Sequence, residues 1–442
     1  MRYSLKKISL LTIYLSSVLV LAGCQMLGAQ KNGPESADGL AIEPKYDQNE
    51  IAAFNNRKNS NQANRYENIS INPKPILSKP TNLPDSLYYD SGIHIEYPET
   101  GVKGIYVTIS NLANEEYFKE LIQFVKSSGL NAMVIDFKDD HGNITTPLET
   151  DNPLIQENIN AEVDLKEILK VLEANQIYPI ARVVTFKDYL LSTDHPEFSF
   201  HNKDDGEIWE DANGARFVNP FIKEVWEYNV DVAKEAAKIG FKEIQFDYIR
   251  FPEGFNVISD TLKYGRGDYE NYPSDREGDE RVAAITDFLQ YAHEQLMPYG
   301  TQVAADIFGY TAVARDADDV RGIGQNFAKM SEQVDVISSM IYPSHWTPGF
   351  FGLDYPDLHP YDVVDLYLFE EKAVLEDVSN PVTSRPWLQD FTDYSLAEGT
   401  YQEYGTKQVQ DQVDALYDHG IHEFLLWNIF GEYTSGVDYH LN

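Results

Sequence analysis

Between residues 104 and 428, short apolar runs alternate with segments of helical period, and this alternation limits the possible folds more than any other feature. The apolar runs lie at 104–108, 131–136, 178–184, 243–247, 302–306, 335–342, 385–389 and 423–428. Between them apolar residues recur at three- and four-residue intervals, predicting helices at 115–128, 165–174, 224–239, 280–297, 323–332, 361–375 and 401–419. Such alternation builds a parallel sheet, either open and doubly wound or closed as a (β/α)8 barrel. An open nucleotide-binding sheet needs a glycine-rich turn after its first strand. That position reads Val107-Thr108-Ile109-Ser110-Asn111-Leu112. The expectation is a TIM barrel with enlarged loops and no cofactor.

Barrels of this kind gather their reacting groups at the C-terminal ends of the strands. The run Lys242-Glu243-Ile244-Gln245-Phe246-Asp247-Tyr248-Ile249-Arg250-Phe251-Pro252 reads as a buried strand that ends in an acid, followed by an arginine and a proline. Period-two alternation puts Gln245 and Asp247 on one face and Ile244, Phe246 and Tyr248 on the other. The same rule pairs Val134 with Asp136 and Ala304 with Asp306. The other strand ends carry Lys138, Arg182, Tyr342 with His345 and Trp346, Gln389 with Asp390, and Trp427 with Asn428.

A lone Asp at a strand end is more often a helix cap or an ion-pair partner. Acids ending three strands describe a carboxylate-lined mouth. Glycosidic bonds are cleaved by such a pair, one carboxylate at the anomeric carbon and one carboxylic acid at the leaving oxygen. Neighbouring strands lie about 4.8 Å apart, close to the spacing that retaining enzymes use. Asp247 is therefore expected as nucleophile, kept ionised by Arg182 or Arg250, and Asp306 as acid/base. Asp136, Lys138, Arg182, Arg250, Tyr342, His345, Trp346, Gln389, Trp427 and Asn428 are the expected polysaccharide contacts. Phe198, Phe200, His201, Trp209 and Phe217 in one loop, and His345, Trp346, Phe350, Phe351 and Tyr355 in another, suit stacking on sugar faces or anchoring of the loops themselves.

Other chemistries are less well served. A net charge of −36 excludes nucleic acid and anionic headgroups as partners. There is no His-Glu-x-x-His motif, and His141 beside Asp136, Asp139 and Asp140 reads as solvated loop charge, so no metal is expected. No Gly-x-Ser-x-Gly elbow supports a serine hydrolase.

The N-terminus is organised differently. Arg2, Lys6 and Lys7 precede an apolar stretch at 8–21, too short to span a membrane comfortably, and Leu21-Ala22-Gly23-Cys24 resembles a bacterial lipobox. Residues 1–23 are expected to be a lipoprotein signal peptide and Cys24, the one cysteine, its lipidation site. Two acyl chains suffice for stable anchoring. Residues 24–95, rich in Asn, Gln, Ser and Pro, read as a disordered tether, and 96–442 as the folded domain. The expected location is outside the cytoplasm, on the bacterial cell membrane.

Val134-Ile135-Asp136-Phe137-Lys138-Asp139, Gln245 to Pro252, Ala305-Asp306-Ile307-Phe308-Gly309, Ile341 to Trp346, Arg385 to Phe391 and Leu426-Trp427-Asn428 together resemble the bacterial putative glycosyl hydrolase domain family. The resemblance covers roughly residues 101–433 and implies a TIM-barrel glycosidase. More distantly the chain is similar to α-amylase-type barrels, which implies a third acid at Asp390. It departs from them in having Asp306 where they have Glu, and Gln245 where they have an arginine. A glycan-binding barrel without catalysis and a surface scaffold are the alternative readings.

Overall fold

In a computed structural model of the protein, residues 87–380 and 382–440 are described. The expected signal peptide, Cys24 and most of the expected tether lie outside them. The barrel strands are β1 (Lys103–Val107), β2 (Ala132–Lys138), β3 (Tyr178–Val184), β4 (Glu243–Asp247), β5 (Gln302–Phe308), β6 (Val336–Met340), β7 in two pieces (Thr383–Ser384 and Trp387–Gln389) and β8 (Phe424–Trp427). All pair in parallel with their neighbours, and β8 returns to β1 through Lys103↔Phe424, Gly104↔Leu425 and Ile105↔Leu426, closing the sheet. β7 is interrupted at Pro386, which has no N–H to give a ladder. Its first piece pairs with β6 and its second with β8.

Seven main helices cover the outside: α1 (Glu115–Ser128), α2 (Leu165–Asn175), α3 (Lys223–Ile239), α4 (Asp279–Leu296), α5 (Phe327–Ser331), α6 (Pro360–Leu375) and α7 (Thr406–Asp418). Asn114 and Asp164 cap α1 and α2 with their side chains. The helix expected at 323–332 divides in two. Gly324, at φ 79°, stops the short helix Asp318–Ile323, and Asn326 caps α5. Outward-facing strand residues pack beneath the helices. Phe246 of β4 meets Phe288 of α4 edge-on at 5.3 Å, and Phe186 and Trp226 contact the same ring.

The N-terminal end of the barrel is sealed. Arg385 donates from Nη1 to Glu243 Oε1 (2.6 Å) and from Nε to Glu423 Oε2 (2.9 Å). Tyr97 completes the plug by donating to Glu423 Oε1 (2.5 Å) and accepting from Arg385 Nη2 (3.1 Å). The segment leading to Tyr97 also belongs to the fold, so the boundary expected at residue 96 moves earlier. Ile93 and Ile95 are buried, and the Ile93 carbonyl accepts from Lys242 Nζ. A side chain at Gly240 would collide with Ile93, at 2.5 Å from its Cγ1.

Removing Arg385 would strand two buried carboxylates. Arg385→Leu is expected to lower unfolding stability by about 3–5 kcal/mol, the range for breaking a buried ion pair from one side. Urea unfolding checks this.

Candidate active site

At the opposite, C-terminal end, Arg182 projects from β3 and is almost fully buried. Its Nη1 donates to Asp136 Oδ1 at 2.8 Å and to Asp140 Oδ2 at 3.0 Å. On its other side Nε and Nη2 approach Asp247 Oδ2 at 2.9 and 2.7 Å. One guanidinium therefore holds acids from the ends of β2 and β4 and from the loop after β2. The other Asp247 oxygen, Oδ1, accepts the backbone N–H of Tyr248 at 2.6 Å. Tyr106, from β1, donates to Asp136 Oδ2 at 2.5 Å.

Asp306 stands next to Asp247. β4 and β5 pair through Phe246↔Ala305, so the two acids are the next step along neighbouring strands. Asp306 Oδ1 accepts Trp387 Nε1 at 2.8 Å. Burial and the charge of Asp247 push the Asp306 carboxyl well above the usual range, outweighing Trp387 and Arg182. Burial also lifts Asp136, against the pull of Arg182, to about 6. Burial opposes ionisation of Asp140 too, but there Arg182 and Lys187 prevail and hold it well below the usual range. Acids within one mouth are thus driven to different protonation states.

An aromatic wall flanks these groups. Trp427, half-buried at the end of β8, stacks on Tyr106 at 4.3 Å and meets Trp387 edge-on at 5.6 Å. The arginine carbon of Arg182 lies 5.7 Å from the Trp427 ring.

The structure thus gathers Asp136, Arg182, Asp247, Asp306 and Trp427 into one site. Lys138 is not part of it. A bulge in β2 between Asp136 and Lys138 sets Lys138 opposite Val183, turning it out of the barrel. There it is buried against Asp188 (2.7 Å), Asn229 Oδ1 (2.9 Å) and the Val184 carbonyl (2.8 Å), so a substrate-binding role is ruled out by its position. Trp346 is also no open platform, for it packs among Phe350, Phe351 and Tyr367. Phe200, Phe217, Phe350 and Phe351 are likewise core.

Asp390, Gln389 and Asn428 organise loops. Asp390 accepts the Thr434 N–H and hydroxyl at 3.0 and 2.5 Å. Gln389 accepts Ser344 N–H and donates to Asp357, while Asn428 donates to the Asp390 carbonyl. Arg250 reaches Glu253 (3.0 Å), leaving Arg182 as the arginine paired with Asp247. Tyr342 is buried beside Phe391 (5.9 Å), and the exposed His345 lies 5.1 Å from it at the rim. Asp139 accepts three amides of its own loop, from His141, Gly142 and Asn143.

Sequence reasoning gave Asp140 no role in the sugar site and did not reach Lys187, Tyr106 or Trp387. Lys187 Nζ donates to Asp140 Oδ1 (3.1 Å) and to the Tyr248 hydroxyl (3.4 Å). Tyr106 could have been found by alternation, since it shares a strand with an inward-facing stretch. Asp140 and Lys187 could not, because loop geometry alone brings them together.

The Asp136 shift has a definite sign. Its folded value of about 6 lies above the ordinary one, so the folded state binds the proton more tightly. This group costs stability as pH rises from about 4 through about 6 and costs none below. Lowering the pH from 7 to 5 should therefore stabilise wild type relative to Asp136→Asn, by at most about 1.4 kcal/mol per pH unit. Paired urea titrations at the two pH values measure the difference.

Comparison with known proteins places the domain. A hypothetical protein from Ruminiclostridium thermocellum ATCC 27405 is 30% identical, with 50% of this chain and 98% of that one covered and a TM-score of 0.39. The glycoside hydrolase domain of PgaB (BpsB) from Bordetella bronchiseptica is 14% identical, with 74% and 94% covered and a TM-score of 0.51, a likeness of fold. No curated protein matches the chain. The model of the family described as "putative glycosyl hydrolase domain" matches residues 104–433, from β1 to beyond β8, and the chain belongs to that family of glycosidase-type barrels.

Proposed function

We propose that the domain is a glycoside hydrolase acting on an extracellular or cell-wall polysaccharide, with Asp247 as nucleophile and Asp306 as acid/base. The observation that carries this reading is the unequal treatment of two adjacent acids. Asp247 is an ion-pair partner of Arg182, whereas Asp306 is buried, lacks such a partner in its hydrogen bonds and is pushed up. A carboxyl raised by burial beside one bound to a guanidinium suits a division into acid and nucleophile.

In the reaction the proton of Asp306 passes to the glycosidic oxygen as the C–O bond breaks and Asp247 bonds to the anomeric carbon. Water then attacks that carbon, giving its proton back to Asp306 and releasing Asp247 to Arg182. Trp427, backed by Tyr106, offers a flat face for the sugar. One observation favours the alternative of a glycan-binding barrel: Arg182 and the Tyr248 amide occupy both oxygens of Asp247.

Asp247→Asn separates the readings. In a hydrolase it should reduce release of new reducing ends from a panel of bacterial exopolysaccharides, wall glycans and α- and β-glucans by at least about 10³-fold, while binding survives. Retained binding with no release by wild type would instead establish the binding barrel. Asp306→Asn should slow cleavage of the polymer far more than cleavage of aryl glycosides with good leaving groups, which need no proton. Equal losses on both would sink the acid/base assignment.

The cellular setting is also a proposal. Met1 to Cys24 supports a lipid anchor outside the cytoplasm, and the chain enters the barrel at the end opposite the acids, where Ile93 meets Lys242. Cys24→Ser should move the protein from a detergent-extracted to a soluble fraction; unchanged fractionation would argue against the lipid.

A further inference from the structure

Tyr248 combines features that neither its burial nor its packing requires. It follows Asp247 directly and has φ 50°, in the left-handed region where residues other than glycine are strained. That conformation turns its N–H onto Asp247 Oδ1 at 2.6 Å. Its carbonyl accepts Phe186 N–H at 3.3 Å, so the peptide is tied on both sides to the mouth. A glycine would adopt this turn without strain, yet the position carries a large ring. Two cations approach the ring, with Lys187 Nζ 4.5 Å and the Arg250 guanidinium carbon 5.1 Å from its centroid. Its hydroxyl accepts from Lys187 at 3.4 Å, and Lys187 in turn binds Asp140, which binds Arg182.

We infer that Tyr248 is a positioning residue for Asp247, and that the clasp of Lys187 and Arg250 on its ring holds the strained peptide in place. Arg182 fixes one oxygen of Asp247 and the Tyr248 amide fixes the other. With both held, the carboxylate has one orientation relative to the β5 acid. The inference rests on the glycosidase reading for its kinetic consequence, but not for its geometry.

Three substitutions separate the contributions. Tyr248→Ala removes the clasp and keeps the penalty on positive φ, so the peptide should relax away from Asp247. Tyr248→Gly removes the clasp and the penalty together, and Tyr248→Phe keeps the ring beside both cations. On the polymer of the panel that wild type cleaves, kcat should fall about 10²-fold in the Ala variant, with KM little changed. It should fall less in the Gly variant and be largely restored in the Phe variant. Thermal unfolding should show Gly above Ala.

A Phe variant as slow as Ala would overturn the clasp in favour of a role for the hydroxyl. Melting temperatures that shift while kcat per folded molecule stays constant would reduce Tyr248 to a structural residue. The amide proton of Tyr248 supplies a readout independent of turnover. In the full-length protein its NMR resonance should lie downfield and move upfield in Asp247→Ala. A resonance indifferent to Asp247 would overturn the inference whether or not any polymer is cleaved. A downfield resonance in a protein that cleaves nothing would refute the hydrolase reading and leave the geometry standing.

Discussion

The mouth of this barrel depends on one buried cation. Carboxylates that end adjacent strands of a closed sheet repel one another, and each loses hydration when drawn into the mouth. Arg182 makes the arrangement tenable because its rigid fork satisfies Asp136, Asp140 and Asp247 together. A lysine would offer one point charge on a flexible stem, without that span. The same geometry divides the acids. Asp140 and Asp247 are ion-pair partners of the fork, Asp136 is bound by it yet lifted by burial, and Asp306, bonded to Trp387, is governed by burial and by its neighbour's charge. Unequal chemistry thus follows from the balance of burial against one guanidinium's pull at each acid.

The two ends of the barrel use similar chemistry to opposite effect. Arg385 at the N-terminal end also bridges two carboxylates and meets a tyrosine, but there Arg385, Glu243 and Glu423 are all buried and Tyr97, from the segment that enters the fold, is half-buried over them. At the mouth, the Asp140 side chain is 42% exposed and that of Lys187 21%. With its ion pairs fully buried, the first network is a plug whose value is stability. The second leaves charged groups within reach of a ligand, as expected at the end of a barrel where loops and not the entering chain form the surface.

The sequence made the frame legible because barrel strands and helices differ in period. β3 and β4 match their expected bounds, and α1 does so as well. Other bounds shift at their ends, as where the helix expected at 401–419 is Thr406–Asp418 and the strand expected at 131–136 is Ala132–Lys138, and two elements are divided by a single residue. Gly324 divides one helix and Pro386 one strand, local effects visible in the sequence but outvoted by the surrounding pattern. Alternation put Asp136, Asp247 and Asp306 on inward faces, whereas Lys138, expected as a polysaccharide contact from its place at a strand end, is turned out of the barrel. A one-residue bulge reverses facing, and nothing in Phe137-Lys138 announces one. Loop aromatics were equally ambiguous. Phe200 and Trp346 have the composition of sugar platforms, yet the enlarged loops need a core of their own, and these rings supply it.

The aromatic wall is joined to the acids by hydrogen bonds as well as by proximity. Tyr106 donates to Asp136 and Trp387 donates to Asp306, and Trp427 packs against both rings. A sugar stacked on Trp427 would therefore rest on the same two side chains that orient carboxyls on β2 and β5. Packed rings resist displacement, because interiors of this density transmit small shifts without absorbing them. Binding and proton transfer would then share one rigid support. Tuning of Asp306 through Trp387 would depend on how closely the ring beside it is packed, and a change at Trp427, which touches neither acid in a hydrogen bond, would be felt at both.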